Sequence, residues 1–274
     1  MGKIKNVPFR VFCYVIVFLF LFIYLFPLFF VANTSLKSAQ DYLLHPTALT
    51  STWSFGNYIT AWNKANFGAY IGNSILYTGV CTICSLLLSL LIAFPISRKY
   101  VPGAGFLYLL FLCGLFLPNG MIPTFQMVLN MGLYDTKIGY MLVMTGVNAT
   151  SVFFFTGYFK SIPRELDEAA ALDGCGYLRY VIRCIVPLAQ PAMVSMGMLS
   201  MIGVWNDIVS STIYLTSESN YNITRGLFVF TGQYSNDWTL TAAGLLVVAA
   251  PLILIYIFGQ RYIVDGVMAG GLKG

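Results

Sequence analysis

The chain has 274 residues, of which 58% are hydrophobic, 16% aromatic and only 9% charged, with a formal net charge of +5. A soluble domain carries about a quarter charged residues, so the composition excludes one and describes an integral membrane protein. The basic excess is scattered beside apolar runs, which excludes a nucleic-acid footprint, and nothing alternates with the period of a transmembrane barrel.

Lys3, Lys5 and Arg10 precede an apolar run from Val11 to Ala32. A cleaved signal peptide has an apolar core of about 7–15 residues. This run is longer, so it reads as a retained first span, about 11–33, containing Pro27. Five further spans follow: about 72–96, ending before Arg98-Lys99; about 104–125, with a stretch punctuated by Pro118, Gly120 and Pro123; about 137–159; about 188–214; and about 240–258, interrupted by Pro251. Each approaches or exceeds the roughly 20 residues a helix needs to cross a bilayer. Each is expected to be helical, because unsatisfied backbone groups cannot face lipid. The expected fold is an all-α integral membrane protein of six transmembrane helices, one domain over residues 1–274, with a helix-turn-helix between spans four and five and a tail over 259–274.

Orientation follows from lysine and arginine. The amino terminus, the 97–103 loop, the 160–187 loop and the carboxyl tail hold eleven, and the other side holds Lys37, Lys64, Lys137 and Arg225. That asymmetry places both termini and the 160–187 loop in the cytoplasm. The external connection 34–71 carries Phe55, Tyr58, Trp62 and Phe67 at roughly helical spacing. This suits a helix lying in the membrane interface, or part of a docking surface for an external protein; the 216–239 loop is open to both readings. Cys13, Cys81, Cys84 and Cys113 lie in apolar runs, while Cys175 and Cys184 lie in the basic loop. No disulfide framework or metal site is expected. The lone His45 sits beside Pro46 outside the membrane, with no ligand role, and no phosphate-binding Gly-x-x-x-x-Gly-Lys loop occurs.

The most informative segment is residues 160–187. Pro163 marks a helix start. Arg164 and Glu168 are four apart on one face, and Glu165, Asp167 and Glu168 crowd a first turn where the helix dipole favours negative charge. Ala169, Ala170 and Ala171 let another protein approach the backbone. Asp173-Gly174 is a break, since glycine takes the left-handed conformation that ends helices. A second short helix, about Tyr177–Ile185, is expected to stop at Pro187. Two short helices joined by a tight turn make a knob that can seat in a groove and move the spans that leave from it; the plain alternative is an amphipathic connector.

This segment resembles the cytoplasmic coupling loop of ABC importer permeases, in its Glu168-Ala169-Ala170 opening, Gly174 turn and Pro187. Asn33-Thr34-Ser35-Leu36-Lys37, Asn57-Tyr58, Asn73-Ser74, Gly132-Leu133-Tyr134-Asp135-Thr136, Trp205-Asn206-Asp207 and the glycine-rich ending from Gly266 to Gly274 resemble the carbohydrate-uptake branch. The ending looks most like the shorter permease subunit of maltose-type importers. The resemblance implies a bacterial plasma (inner) membrane location. It also implies four kinds of partner: a second related permease, two ATP-binding subunits, an extracytoplasmic solute-binding protein and membrane lipid. ATP and Mg would be bound by the ATPase partners, this chain would hold no cofactor, and it would have no catalytic residue. Residues 164–187 would dock into the ATPase cleft, with Arg164, Glu168, Ala169, Ala170, Asp173, Gly174 and Pro187 as the coupling set. Gly270, Gly271 and Lys273 of the tail would reach between the ATPase subunits.

Asp207 is the ionisable residue placed well inside a span, where charges face a cavity or a polar partner. Trp205, Asn206 and Asp207 offer a ring, an amide and a carboxylate, which suits sugars. Asp207 could equally pair with the second permease. Asn148, with Thr145, Thr150 and Ser151, could line the same path or bond between helices. Three functions remain on the sequence: a permease of an ATP-driven sugar importer, or of a related importer for a solute such as a glycerol phosphate; an ion-gradient-driven transporter, which predicts repeats and broken helices; and a membrane enzyme, for which the spans lack clustered His, Asp or Glu.

Overall fold

The computed structural model describes residues 7–117, 120–230 and 237–271, and every regular element among them is helical. Contacts divide the chain into two compact units, residues 1–68 with 226–251, and residues 69–225 with 252–274.

The first unit begins with α1 (Val7–Ser35), a 29-residue helix that runs through Pro27. Its side chains from Phe9 to Phe29 are exposed all round. A helix apolar on every face has no solvent side, so this surface belongs in lipid or against another chain. Two short helices follow, α2 (Ala39–Leu44) and α3 (Gly56–Lys64). The loop around them is built from its own polar residues. Asn33 bridges Ala48 and Thr50, Asn57 donates to the Ser35 and Lys37 carbonyls, and the Tyr58 and Ser35 hydroxyls meet at 2.8 Å. Lys37 is fully buried and donates to the carbonyls of His45 and Pro46, where α2 ends. A helix C-terminus favours a cation. The aromatic stripe therefore splits: Tyr58 and Phe67 turn inward, the latter onto Phe230 at 6.1 Å, while Phe55 and Trp62 stay exposed.

The second unit contains most of α4 (Phe67–Arg98), 32 residues that Pro95 does not end. After it come α5 (Ala104–Gly114), α6 (Met121–Asn130), α7 (Lys137–Met144), α8 (Ala149–Ser161), α9 (Glu165–Leu172), α10 (Tyr177–Tyr180) and α11 (Val186–Leu188). A π-turn at Val181–Ile185 joins the last two. Then follow α12 (Gln190–Trp205), α13 (Val209–Tyr214) and α14 (Ile223–Gly226), the last ending in the first unit. One apolar cluster gathers Phe94, Phe155, Phe159 and Ile185, and another gathers Tyr77, Tyr140, Val204 and Tyr214.

α15 (Trp238–Gly271) is continuous through Pro251, where the sequence suggested an interruption. Prolines are tolerated in membrane helices because neighbouring groups re-satisfy the freed carbonyl. Among the described residues, three helices are long and apolar enough to cross a membrane, and up to five spans result if the bent pairs α7–α8 and α10/α11–α12 count as one each. The third, fourth and fifth expected spans are each broken. α5 stops after 11 residues, α7 and α8 meet at 48° across residues 145–148, and α12 gives way to α13 across residues 206–208. The chain also bends by 74° at Ala189. Pro187 does not stop its helix; it sits in α11 directly after the π-turn, a combination that bends a helix without ending it.

Candidate solute path and coupling loop

The α7–α8 break builds a cavity. Thr145-Gly146-Val147-Asn148 interrupts an otherwise apolar helix, and Asn148 caps α8 by accepting from the Thr150 amide at 2.9 Å. Asn148, Thr150 and Ser151 line a space of about 370 Å³ with Ser85 of α4 and Ser200 of α12. Asn148 also lines a larger space of about 1040 Å³, bordered by α5 and Ser210. Among the described residues, no acidic, basic or histidine side chain lines either space. Thr145 stays out of both, since its hydroxyl donates back to the Met141 carbonyl at 2.6 Å.

Asp207 has a different position. The Tyr140 hydroxyl donates to its Oδ2 at 3.0 Å, and the amides of Ser210 and Ser211 donate to its two oxygens at 3.2 and 2.8 Å. The carboxylate thus caps α13, where the helix dipole favours an anion. Trp205 is 3% exposed, so its ring packs inside the protein. Asn206 is exposed at the end of α12. The three neighbours predicted to act together therefore do three different things.

The other motifs converge on the segment that follows α13. Asn73 donates to the carbonyls of Ser219 and Tyr221, and accepts from Lys137 Nζ at 2.6 Å. Ser74 accepts from the Ile223 amide, and Tyr77 donates to the Asn220 carbonyl. Asp135 accepts from the amides of Thr216 and Ser217 and from the Ser217 hydroxyl. Burial works against its charge, but those Ser217 and Thr216 bonds prevail and hold the carboxyl well below the usual carboxylate range. Arg225 closes the segment by donating to carbonyls at the end of α13, its guanidinium 4.0 Å over the Tyr221 ring.

At the opposite end of α4 stands the knob. Arg164 precedes α9 as its cap residue, and Gly174 adopts φ +68° at the turn, a conformation glycine takes freely. Glu168, Ala169, Asp173 and Gly174 are exposed, and Leu172 is 88% exposed. Among the described residues the one ion pair is Arg98–Asp167, with Nε to Oδ2 at 2.8 Å; Arg164 and Glu168 do not form one. Arg98 also donates to the Ile162 carbonyl at 3.0 Å. The two side chains are 2% and 11% exposed, and the Nε contact is off-axis for a hydrogen bond, so the attraction is chiefly Coulombic. Removing one partner of such a buried pair costs about 3–5 kcal/mol. Tyr100 and Tyr180 both donate to Asp167. Burial first, and then the carboxylate, push the Tyr180 phenol up.

In the sequence Tyr180 stands out only as a residue that the second knob helix presents, with Tyr177 and Val181, Asp167 is one acid among three, and Tyr140 carries no signal. Arg98 looked like an ordinary cytoplasmic flanking charge, and neither tyrosine showed its partner. Gly270 and Gly271 end α15, and Lys273 lies outside the described residues.

Helical spans broken around an uncharged polar cavity, with an exposed helical pair at one end, define a polytopic membrane transport protein. The chain belongs to the family described as the binding-protein-dependent transport system inner membrane component, which it matches over residues 1–268. It is similar to the inner membrane ABC transporter permease protein YcjP of Escherichia coli strain K12, at 33% identity over 93% of this chain and 94% of that protein. It is also similar to the diacetylchitobiose uptake system permease protein NgcG of Streptomyces coelicolor, at 29% identity over 90% of this chain and 83% of that protein. The fold matches a subunit in the crystal structure of a bacterial ABC transporter involved in import of the acidic polysaccharide alginate, with TM-score 0.85, 22% identity, and coverage of 96% of this chain and 99% of that one. The protein is thus a multi-pass permease of a binding-protein-dependent importer, a family that works with ATPase and solute-binding partners.

Proposed function

We propose that this chain carries a sugar or oligosaccharide inward by alternating access, as one of two related permeases above two ATPase subunits, with an extracytoplasmic binding protein delivering the solute. In this reading the six crossings are α1, α4, α5 with the start of α6, α7–α8, α12–α13 and α15. Both termini and the knob face the cytoplasm, as the lysine and arginine asymmetry indicates. ATP and Mg reside on the ATPase partners. Residues 164–187 dock there, and the tail around Gly270, Gly271 and Lys273 reaches between the two ATPase subunits.

The observation that carries the reading is the knob: two short helices around a left-handed Gly174, exposed at Glu168, Ala169 and Ala171–Gly174 while Ala170 packs half-buried against the core, in a chain of this family. The solute assignment leans on the cavity lining, which offers hydroxyls and an amide without charge, and on the uptake named for the NgcG relative. A phosphate-bearing solute calls for cationic recognition, which that lining lacks. Broken helices also occur in gradient-driven carriers, but Asp207, whose carboxylate would serve ion coupling, is engaged by Tyr140 and the α13 amides.

The test is reconstitution of the purified assembly in proteoliposomes with labelled oligosaccharides. Accumulation that requires ATP and the binding protein is expected. Accumulation driven by an ion gradient without ATP contradicts the proposal.

A further inference from the structure

The knob is tied to the end of α4 by a charge pair and by ring contacts. Asp167 of α9 faces Arg98, the last residue of α4, and Tyr180 of α10 donates to the same carboxylate. Phe94, one turn earlier on α4, is ringed by Tyr100, Phe159, Tyr177 and Tyr180 at centroid distances of 5.4 to 6.1 Å. Arg98 lies 5.9 Å over the Phe94 ring. Both knob helices therefore grip one end of one helix through a buried charge pair and an aromatic box. The other end of α4 holds Asn73, Ser74 and Tyr77, which bond the 219–223 segment directly. Asn73 and Arg98 are 25 residues apart, about 37 Å along a straight helix.

We propose that Arg98 is a positioning residue for transport, delivering displacement of the knob through Asp167 into α4 and so to the segment at its far end. Motion thereby reaches the opposite face along a helix that does not leave from the knob. Packed elements switch between discrete arrangements rather than deforming smoothly, and a buried ion pair resists sliding in a way apolar contacts do not. The inference rests on the importer reading, in which the knob is what the ATPases move.

The experiment compares wild type, Arg98→Gln, Asp167→Asn and Tyr180→Phe in the assembled importer, measuring recovery of the ATPase with the tagged chain, ATP hydrolysis and solute uptake. If the wild-type chain recovers no ATPase, the importer reading itself fails. If it does, Arg98→Gln and Asp167→Asn are expected to retain the ATPase and hydrolyse ATP while solute carried per ATP falls at least tenfold. A merely structural role would lower hydrolysis and uptake together and leave that ratio unchanged. Tyr180→Phe keeps its ring in the box and loses one bond to Asp167, so it serves if the charge variants do not accumulate; its ratio is expected to fall two- to fivefold. A ratio within experimental error of wild type in the variants that accumulate overturns the proposal.

Discussion

Tyr140 and Asp207, 67 positions apart in the chain, meet at 3.0 Å where α7 faces the start of α13. Tyr140 is 1% exposed and its ring packs at a tilt against Tyr77, centroids 4.8 Å apart, so the phenol has no water to turn to. Tyr140→Phe keeps the ring and removes one bond to a charged acceptor, an interaction worth about 1.5–3 kcal/mol. Asp207→Ala is expected to cost more, since it also leaves the Ser210 and Ser211 amides and the phenol without an acceptor. Thermal unfolding of the detergent-purified chain measures both, and equal midpoints for wild type and Asp207→Ala would remove the carboxylate from the framework.

Asp135 ties its own loop to Ser217, and its carboxyl titrates below the usual range. The folded chain therefore binds that proton less readily than the unfolded chain. The stabilisation is complete above the ordinary aspartate value of about 3.9 and is lost as the pH falls through the lower folded-state value. The gap in thermal midpoint between wild type and Asp135→Asn is expected to be widest near neutrality and to narrow steadily as the pH drops below about 4. A gap that widens on acidification contradicts the assignment.

Two glycines separate close approach from spare space. A Cβ at Gly139 would lie 2.1 Å from the Leu133 carbonyl oxygen, which is backbone and cannot swing away. Gly139→Ala is expected to destabilise by about 1–3 kcal/mol or more. Gly157, within α8, meets nothing within 4 Å, and Gly157→Ala should be neutral or stabilising by up to about 1 kcal/mol. Melting curves of the two variants side by side decide the matter; similar behaviour would count against this packing.

The knob variants address coupling. Gly174→Asp forces a side chain into φ +68° and adds a charge at the turn. Glu168→Lys reverses an exposed charge without touching the Arg98–Asp167 pair. Both are expected to insert at normal levels and to lose uptake by at least tenfold. Wild-type uptake in either would show that this face is not the coupling surface.

The sequence disclosed what depends on local chemistry. The long apolar runs of α1 and α4 announced themselves, and so did the glycine turn at Gly174, because a left-handed position between an alanine-rich helix and a basic one asks for glycine. The helix breaks were hidden, since Leu115–Leu117 and Val147 carry apolar residues straight across them; Gly146 with Asn148, and Asn206 with Asp207, were the visible marks. Partners that lie far apart in the chain were beyond reading. Asn33, Asn73, Asp135 and Asp207 stood out as motif members, yet their bonds run to segments 15 to 148 positions away. Polar groups buried among apolar side chains are held by whatever donor the fold brings near, and periodicity says nothing about which.

The central claim, that residues 164–187 seat in an ATPase, is tested most directly by gentle detergent purification of the tagged chain from its host and identification of the proteins that accompany it. Wild-type chain is expected to bring down an ATP-binding subunit and a second, related permease, and Gly174→Asp to lose the ATP-binding subunit while keeping the permease. Recovery of the ATP-binding subunit undiminished by Gly174→Asp, or a wild-type chain that purifies folded and alone, would contradict it.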